Sequence, residues 1–246
     1  MSNIDNIFIY DNYQKFISIL RESYSFIDFK DGSKFAKVDR PLVILRHDVD
    51  MDMVSACNIA SIEESVGIRS NFFFMLCCPL YNLFTAENSR LVRQILSAGH
   101  HFGLHFDCAS YKDISKDNIE YYIDNECRVL EDFFKHPIEA ISFHRPRGIE
   151  LSVMSFEKWP NTYEKMFVED YHYFSDSKGI WRDGHPLDSE AYSKRKKMHI
   201  LVHPIWWTST PVTPYKRLVN LVINRNHQSE QYISENCQVW NEGEEG

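Results

Sequence analysis

The feature that most constrains this chain is a recurring order of short apolar runs and amphipathic helical patterns, in which the apolar runs end abruptly in polar residues. PLVILRHDVD (41–50) sets the pattern: the run Leu42–Leu45 breaks off into Arg46, His47, Asp48 and Asp50. An apolar run with no polar alternation is what a strand buried on both faces requires, and a polar end is what a site at its C-terminus looks like. Similar strands are expected at Ser70–Leu76, in HFGLHF (101–106), in EAISF (139–143) and in MHILV (198–202), with shorter ones at Lys165–Val168 and His172–Phe174. Between them, apolar residues at helical spacing predict helices over 11–28, 53–66, 88–98 and 117–134, and Gly67 and Gly99 stand where helices stop. Residues 185–197 read as loop, and a last helix is expected from Thr213 to about Asn236.

Strands alternating with helices imply βαβ units and a parallel sheet. Seven strands fit one domain, so the expectation is an α/β chain folded as a distorted (β/α)7 TIM-like barrel, with an open doubly wound sheet as second choice. The whole of 1–246 reads as one domain whose chemistry-bearing core spans about 41–207. In such a barrel the C-terminal strand ends converge on one face, where active sites sit. Here that face would collect Asp48 and Asp50, His105 and Asp107, His144 and Arg145, Asp176 and His203.

Asp48 and Asp50 are two residues apart, so an extended backbone aims both carboxylates to one side. Two such groups repel unless a cation sits beside them. The pattern suits one metal ligand and one general base; capping of the helix near Met53 by Asp50 or Asp52 is the alternative. GHHFGLHFD (99–107) holds three histidines. On a strand, His101 and His105 share a face but lie about 13 Å apart, too far to hold one ion. His105, at the strand end, is the better ligand; His101 reads as structural and His100 as a turn or supporting residue. His144 is a further candidate ligand, and Arg145 is placed to pair with a carboxylate. His203 has the near-neutral pKa suited to protonating a leaving group. Trp206 and Trp207 offer faces for a sugar ring or for the core. FSDSKGIWRDG (174–184) reads as a loop that could meet substrate through Asp176 and Trp181.

Together these segments resemble the polysaccharide deacetylase (NodB-homology) family, whose fold is a distorted seven-stranded β/α barrel. The resemblance runs from about 41 to 207. RHDVD is similar to the family's first motif, which implies Asp48 as catalytic base and Asp50 as metal ligand. GHHFGLH resembles the second, implying His105 as ligand. FHRPRG resembles the third, implying that Arg145 orients the base. FSDSKGIW loosely resembles the fourth through Asp176 and Trp181, and ILVHP the last, implying His203 as general acid. One position departs: the family's second metal histidine, four residues after the first, is Ala109 here. His144 is the first choice to complete the site, Asp107 is close behind, and His101 is the remaining alternative. The resemblance implies a divalent metal, with zinc expected, and removal of an N-acetyl or other N-acyl group from a sugar or glycan precursor. An allantoinase-like C–N hydrolase, or a sugar-binding relative without a complete metal site, are the other readings.

A net charge of −8 speaks against a nucleic-acid partner, because phosphates call for a basic face. No apolar run is long enough for a membrane span. The first residues lack a signal-peptide pattern, and the six cysteines show no CxxC spacing, so reduced thiols and a cytoplasmic setting are expected, with surface-polysaccharide biosynthesis as the implied context.

Overall fold

The computed structural model describes residues 7–32, 40–146, 150–151 and 154–243. The chain divides into two compact units, Met1–Thr210 and Pro211–Gly246. The first unit contains every motif named above. Its strands are β1 (Ser25–Phe26), β2 (Leu42–Val49), β3 (Asn71–Phe74), β4 (His101–Asp107), β5 (Ala140–His144), β6 (His172–Ser175) and β7 (Met198–Val202). All pair in parallel, in the order β5-β4-β3-β2-β7-β6, with β1 joined to the start of β2. The expected α/β class and parallel sheet are what the chain forms.

The helices of this unit are α1 (Tyr10–Ser23), α2 (Met53–Val66), α3 (Ala86–Ser97), α4 (Ile119–Phe134), α5 (Lys165–Glu169) and α6 (Glu190–Ser193). Their apolar stripes supply the outer core: Tyr13, Phe16, Ile17 and Leu20 from α1, and Ile119, Ile123, Cys127, Leu130 and Phe134 from α4. Asp52 caps α2 by accepting from the Val54 and Ser55 amides, and Gly67 ends it at φ +75°. Gly103 is required for a different reason: a Cβ there would collide with the Phe73 ring on the neighbouring strand.

Lys165–Val168 is a correction. It forms the single helical turn α5, and only Phe167 of it is buried. The seventh strand is instead β1, too short to announce itself by any periodicity. The loop expected over 185–197 contains the short helix α6 and a 3-10 turn at Pro186–Asp188.

The sheet is strongly curled. Asp50, just past β2, and His144, on β5, belong to strands three places apart, which a flat sheet would separate by about 14 Å. Their side chains lie 3.4 Å apart. Among the described residues no ladder joins β5 to β6, so the strands form a curled half-barrel; β5 makes an isolated bridge from Ile141 to Asn161 on that side. No described helix is long and apolar enough to cross a membrane. The described cysteines are all free thiols.

Two polar groups deep in this unit bear on its stability. On the outer face of β2, Glu63 accepts hydrogen bonds from Tyr13 and from Ser70 (2.5 Å), and its Oε1 lies 2.7 Å from His47 Nε2. His100 joins the same buried cluster, 3.5 Å from Glu63. On the inner face, His199 is buried between Phe29 and Tyr173. Burial first, and the Arg46 charge second, lower its pKa from 6.5 to about 3. The unfolded chain therefore binds a proton that the folded chain refuses. The contribution of His199 is complete above about pH 6.5 and is lost as pH falls toward 3, at up to about 1.4 kcal/mol per pH unit. Urea unfolding at pH 7 and pH 5 should show a stability difference that shrinks by about 2 kcal/mol in His199→Gln; an unchanged difference would remove His199 as its source.

The second unit is described by itself. It carries α7 (Pro214–Asn236) and α8 (Gln238–Glu242), and Thr213 caps α7 by accepting from the Lys216 amide at 3.2 Å.

Candidate metal centre

Side chains at alternate positions of a strand share a face. On β2 this rule selects Arg46, Asp48 and, just beyond the strand, Asp50. The register places their counterparts: His105 on β4 stands opposite Ser142 on β5, and Asp107 stands opposite His144. The curl then brings these strand ends together.

Asp50 is the meeting point. Its Oδ1 lies 3.0 Å from His105 Nε2 and 3.4 Å from His144 Nδ1. Ligand atoms of Asp50, His105 and His144 all lie within 4.8 Å of one another. An ion with tetrahedral bonds of about 2.0–2.1 Å spaces its ligand atoms by about 3.3 Å, and the two separations bracket that value. Asp50 Oδ1 is buried and makes no well-directed hydrogen bond. A buried carboxylate oxygen left this way, facing two imidazole nitrogens, is a donor set that suits a divalent cation.

The protonation states agree with that use. Ser142 Oγ donates to Asp48 Oδ1 at 3.4 Å and lies 2.6 Å from His105 Nδ1. With the hydroxyl proton committed to Asp48, its oxygen accepts from Nδ1–H, and Nε2 is left as a bare lone pair toward Asp50. Burial lowers the His144 pKa more than Asp50 raises it, keeping that ring neutral. Burial pushes the Asp50 carboxyl up, but the adjacent His105 imidazole and then His203 outweigh it, and its pKa is lowered.

Asp48 sits beside this cluster, with Oδ2 3.8 Å from His105 Nε2. A bidentate guanidinium holds it, with Arg46 Nε to Oδ1 at 3.1 Å and Nη2 to Oδ2 at 2.8 Å. Both side chains are at most 4% exposed. Burial would raise the Asp48 pKa, but Arg46, then His105 and His203, hold the carboxyl well below the usual carboxylate range. The Arg46 guanidinium also lies over the Phe73 and Tyr163 rings, at 5.8 and 5.5 Å from their centroids.

His203 closes the cluster from β7, with Nε2 3.9 Å from Asp50 Oδ2. Its Nδ1 donates to Asp176 Oδ1 at 2.7 Å. Asp176 also accepts from the His203 amide and from Trp207 Nε1, at 3.0 Å. Burial works against protonation of His203, yet the Asp176 hydrogen bond and charge, then Asp50 and Asp48, raise its pKa to about 9.

Several sequence expectations meet a different arrangement. Arg145 does not reach Asp48: its Nε donates to Asp107 Oδ1 at 3.0 Å and its Nη2 to Oδ2. The arginine on Asp48 is Arg46, which sequence reasoning missed although the i, i+2, i+4 spacing of Arg46, Asp48 and Asp50 signalled it. Asp107 is taken up by Arg145, by the Ala109 amide and by Ser110, so it stands outside the ligand cluster. Ala109 lies in the 3-10 turn Cys108–Ser110, and His144 stands at the third corner. His101 lies at the far end of β4, as a strand demands. Asp176 is fully buried with both oxygens occupied, which places it behind His203. Trp181 packs against Phe16, His185 and Trp207. Trp206 is partly exposed beside His203, while Trp207 is buried.

No family model and no curated protein matches the chain. Among solved structures it is similar to the chitin deacetylase from the fungal pathogen Colletotrichum lindemuthianum, at 13% identity over 82% of this chain and 86% of that one, with a TM-score of 0.41. A Streptococcus pyogenes deacetylase in complex with acetate gives 12% identity, 85% and 84% coverage and a TM-score of 0.44. A mutant CE4 family pseudoenzyme with restored enzymatic activity gives 17% identity, 78% coverage of this chain and a TM-score of 0.40, and this chain spans 64% of its length. Likenesses this distant carry neither kinship nor activity across to this chain.

Proposed function

We propose that this protein is a metal-dependent hydrolase that removes an N-acetyl, or another N-acyl, group from a sugar or glycan precursor. One observation carries the reading. A carboxylate held ionised and an imidazole held protonated stand beside the same cluster of one aspartate and two histidines. A site built only to bind a sugar needs neither.

Asp50, His105 and His144 would hold the ion, and zinc is the one we assign. A divalent cation there supplies a lowered water pKa and a polarised acyl carbonyl. The remaining chemistry belongs to the chain. Asp48 accepts a proton as water attacks the acyl carbon. Arg46 and Ser142 hold Asp48 in place and ionised. As the C–N bond breaks, His203 Nε2 gives its proton to the departing amine, and Asp176 steadies the ring through Nδ1. Trp206, beside His203, offers a partly open ring face for a sugar. The motif resemblance supports an N-acyl sugar as substrate, with surface-polysaccharide assembly as the setting.

The test is metal content with acyl release. Zinc-loaded protein should free acetate from N-acetylated oligosaccharides, and Asp50→Ala and His105→Ala should each bind one zinc fewer than wild type and release none. Zinc-loaded wild type that frees no acyl group from such substrates would overturn the reading. A wild type that takes up no zinc would point to a non-catalytic sugar-binding protein.

A further inference from the structure

A second group of ligand-type side chains lies at the opposite end of the half-barrel. His101 opens β4, Glu139 immediately precedes β5, and Asp28 follows β1 by two residues. His101 Nδ1 lies 3.1 Å from Glu139 Oε2 and 3.7 Å from Asp28 Oδ2. The three ligand atoms all fall within 4.8 Å of one another. We propose that Asp28, His101 and Glu139 form a second divalent-cation site, independent of the first, that ties the segment after β1 to the N-terminal ends of β4 and β5.

Three properties favour a cation here over a chance meeting of charges. The ligand spacings of 3.1 and 3.7 Å again bracket the roughly 3.3 Å of a tetrahedral ion. The donor set, two carboxylates and one imidazole, matches first-row divalent metals, whereas carboxylates alone would suit calcium or magnesium. The side chains are also largely withdrawn from water, at 14% exposed for Asp28, 17% for Glu139 and 25% for His101. Asp28 is oriented from behind, because its Oδ1 accepts the Asp31 amide at 2.6 Å and its Oδ2 faces His101.

Two carboxylates this close need a positive partner. In this conformation a proton on His101 helps to supply it: burial opposes protonation, but Glu139 and Asp28 raise the ring's pKa. Lys30 Nζ stands 4.0 Å from Glu139 on a side chain 43% exposed. The site is remote from the reacting groups and does not depend on the hydrolase reading.

The experiment counts ions. Metal-stripped protein, residues 1–246, is dialysed against zinc at pH 7.5 and its bound zinc is measured by mass spectrometry. Wild type should hold two equivalents, His101→Ala one, His105→Ala one, and the double variant none. Asp28→Asn, a milder change, should also lose one equivalent if His101→Ala fails to fold. Cobalt loaded into His105→Ala should give a d–d absorption band that His101→Ala removes. One equivalent in wild type that disappears in His105→Ala would overturn the second site, showing a salt-bridged plug of Lys30, His101 and the two carboxylates. Two equivalents retained in both His101→Ala and Asp28→Asn would overturn it as well. Failure of the first site looks different: His105→Ala would then keep every ion that wild type holds.

Discussion

Asp48→Asn should bind as much zinc as wild type and lose turnover by about 10²–10⁴-fold, the range associated with removing a positioned general base. The substitution keeps the shape of the side chain. It leaves Asp50, His105 and His144 untouched, and the carboxamide oxygen can still accept one of the two Arg46 hydrogen bonds. What it removes is the anionic oxygen 3.8 Å from His105 Nε2, the one we propose takes a proton from water. Zinc stoichiometry and kcat measured on the same preparation separate the two effects. Loss of zinc together with activity would make Asp48 a ligand; unchanged kcat would remove it as the base.

The second large effect concerns which arginine serves Asp48, the proposed base. Arg46→Met should abolish activity and destabilise the chain by about 3–5 kcal/mol, because it strands the Asp48 carboxylate in a buried site without its partner. Against a typical total stability of about 5–15 kcal/mol, that loss could prevent folding, so Arg46→Lys is the decisive variant. Lysine restores the charge but not the two-pronged geometry. With weaker pairing the Asp48 pKa rises, and the acidic limb of the kcat/KM profile should move to higher pH. Arg145→Met should leave that limb where it is, since its guanidinium contacts Asp107 and its side chain is 52% exposed. A profile shifted by Arg145→Met and unmoved by Arg46→Lys would return the role to Arg145, as the motif resemblance implies.

Much of the fold was legible along the chain because burial on both faces leaves a plain signature. The apolar runs of β2, β3, β4, β5 and β7 and the apolar stripes of α1 and α4 could be read directly. Lys165–Glu169 could not, since five residues with one buried phenylalanine fit a strand or a helical turn equally well. The two residues of β1 carry no period at all. At the site, Asp48, Asp50, His105 and His203 were visible as polar residues at the ends of apolar runs. Arg46 was hidden in plain view: a charged residue inside an apolar stretch reads as a strand end, unless the alternation is followed one step back from Asp48.

Strands β2 to β7, though not β1, their direction and the residues that each carries to its C-terminal end are written in the chain itself. Those follow from local hydrophobic pattern and period-two geometry, which each segment holds within itself. Only the tertiary structure decided the partners. The curl of the sheet brings His144 to Asp50 across three strands, sends Arg145 to Asp107, leaves Arg46 to Asp48, and gathers Asp28, His101 and Glu139 at the other end. Pairings of that kind depend on distances between segments far apart in the chain. Those distances are set by how far a twisted sheet bends as its core packs, and no single segment encodes that.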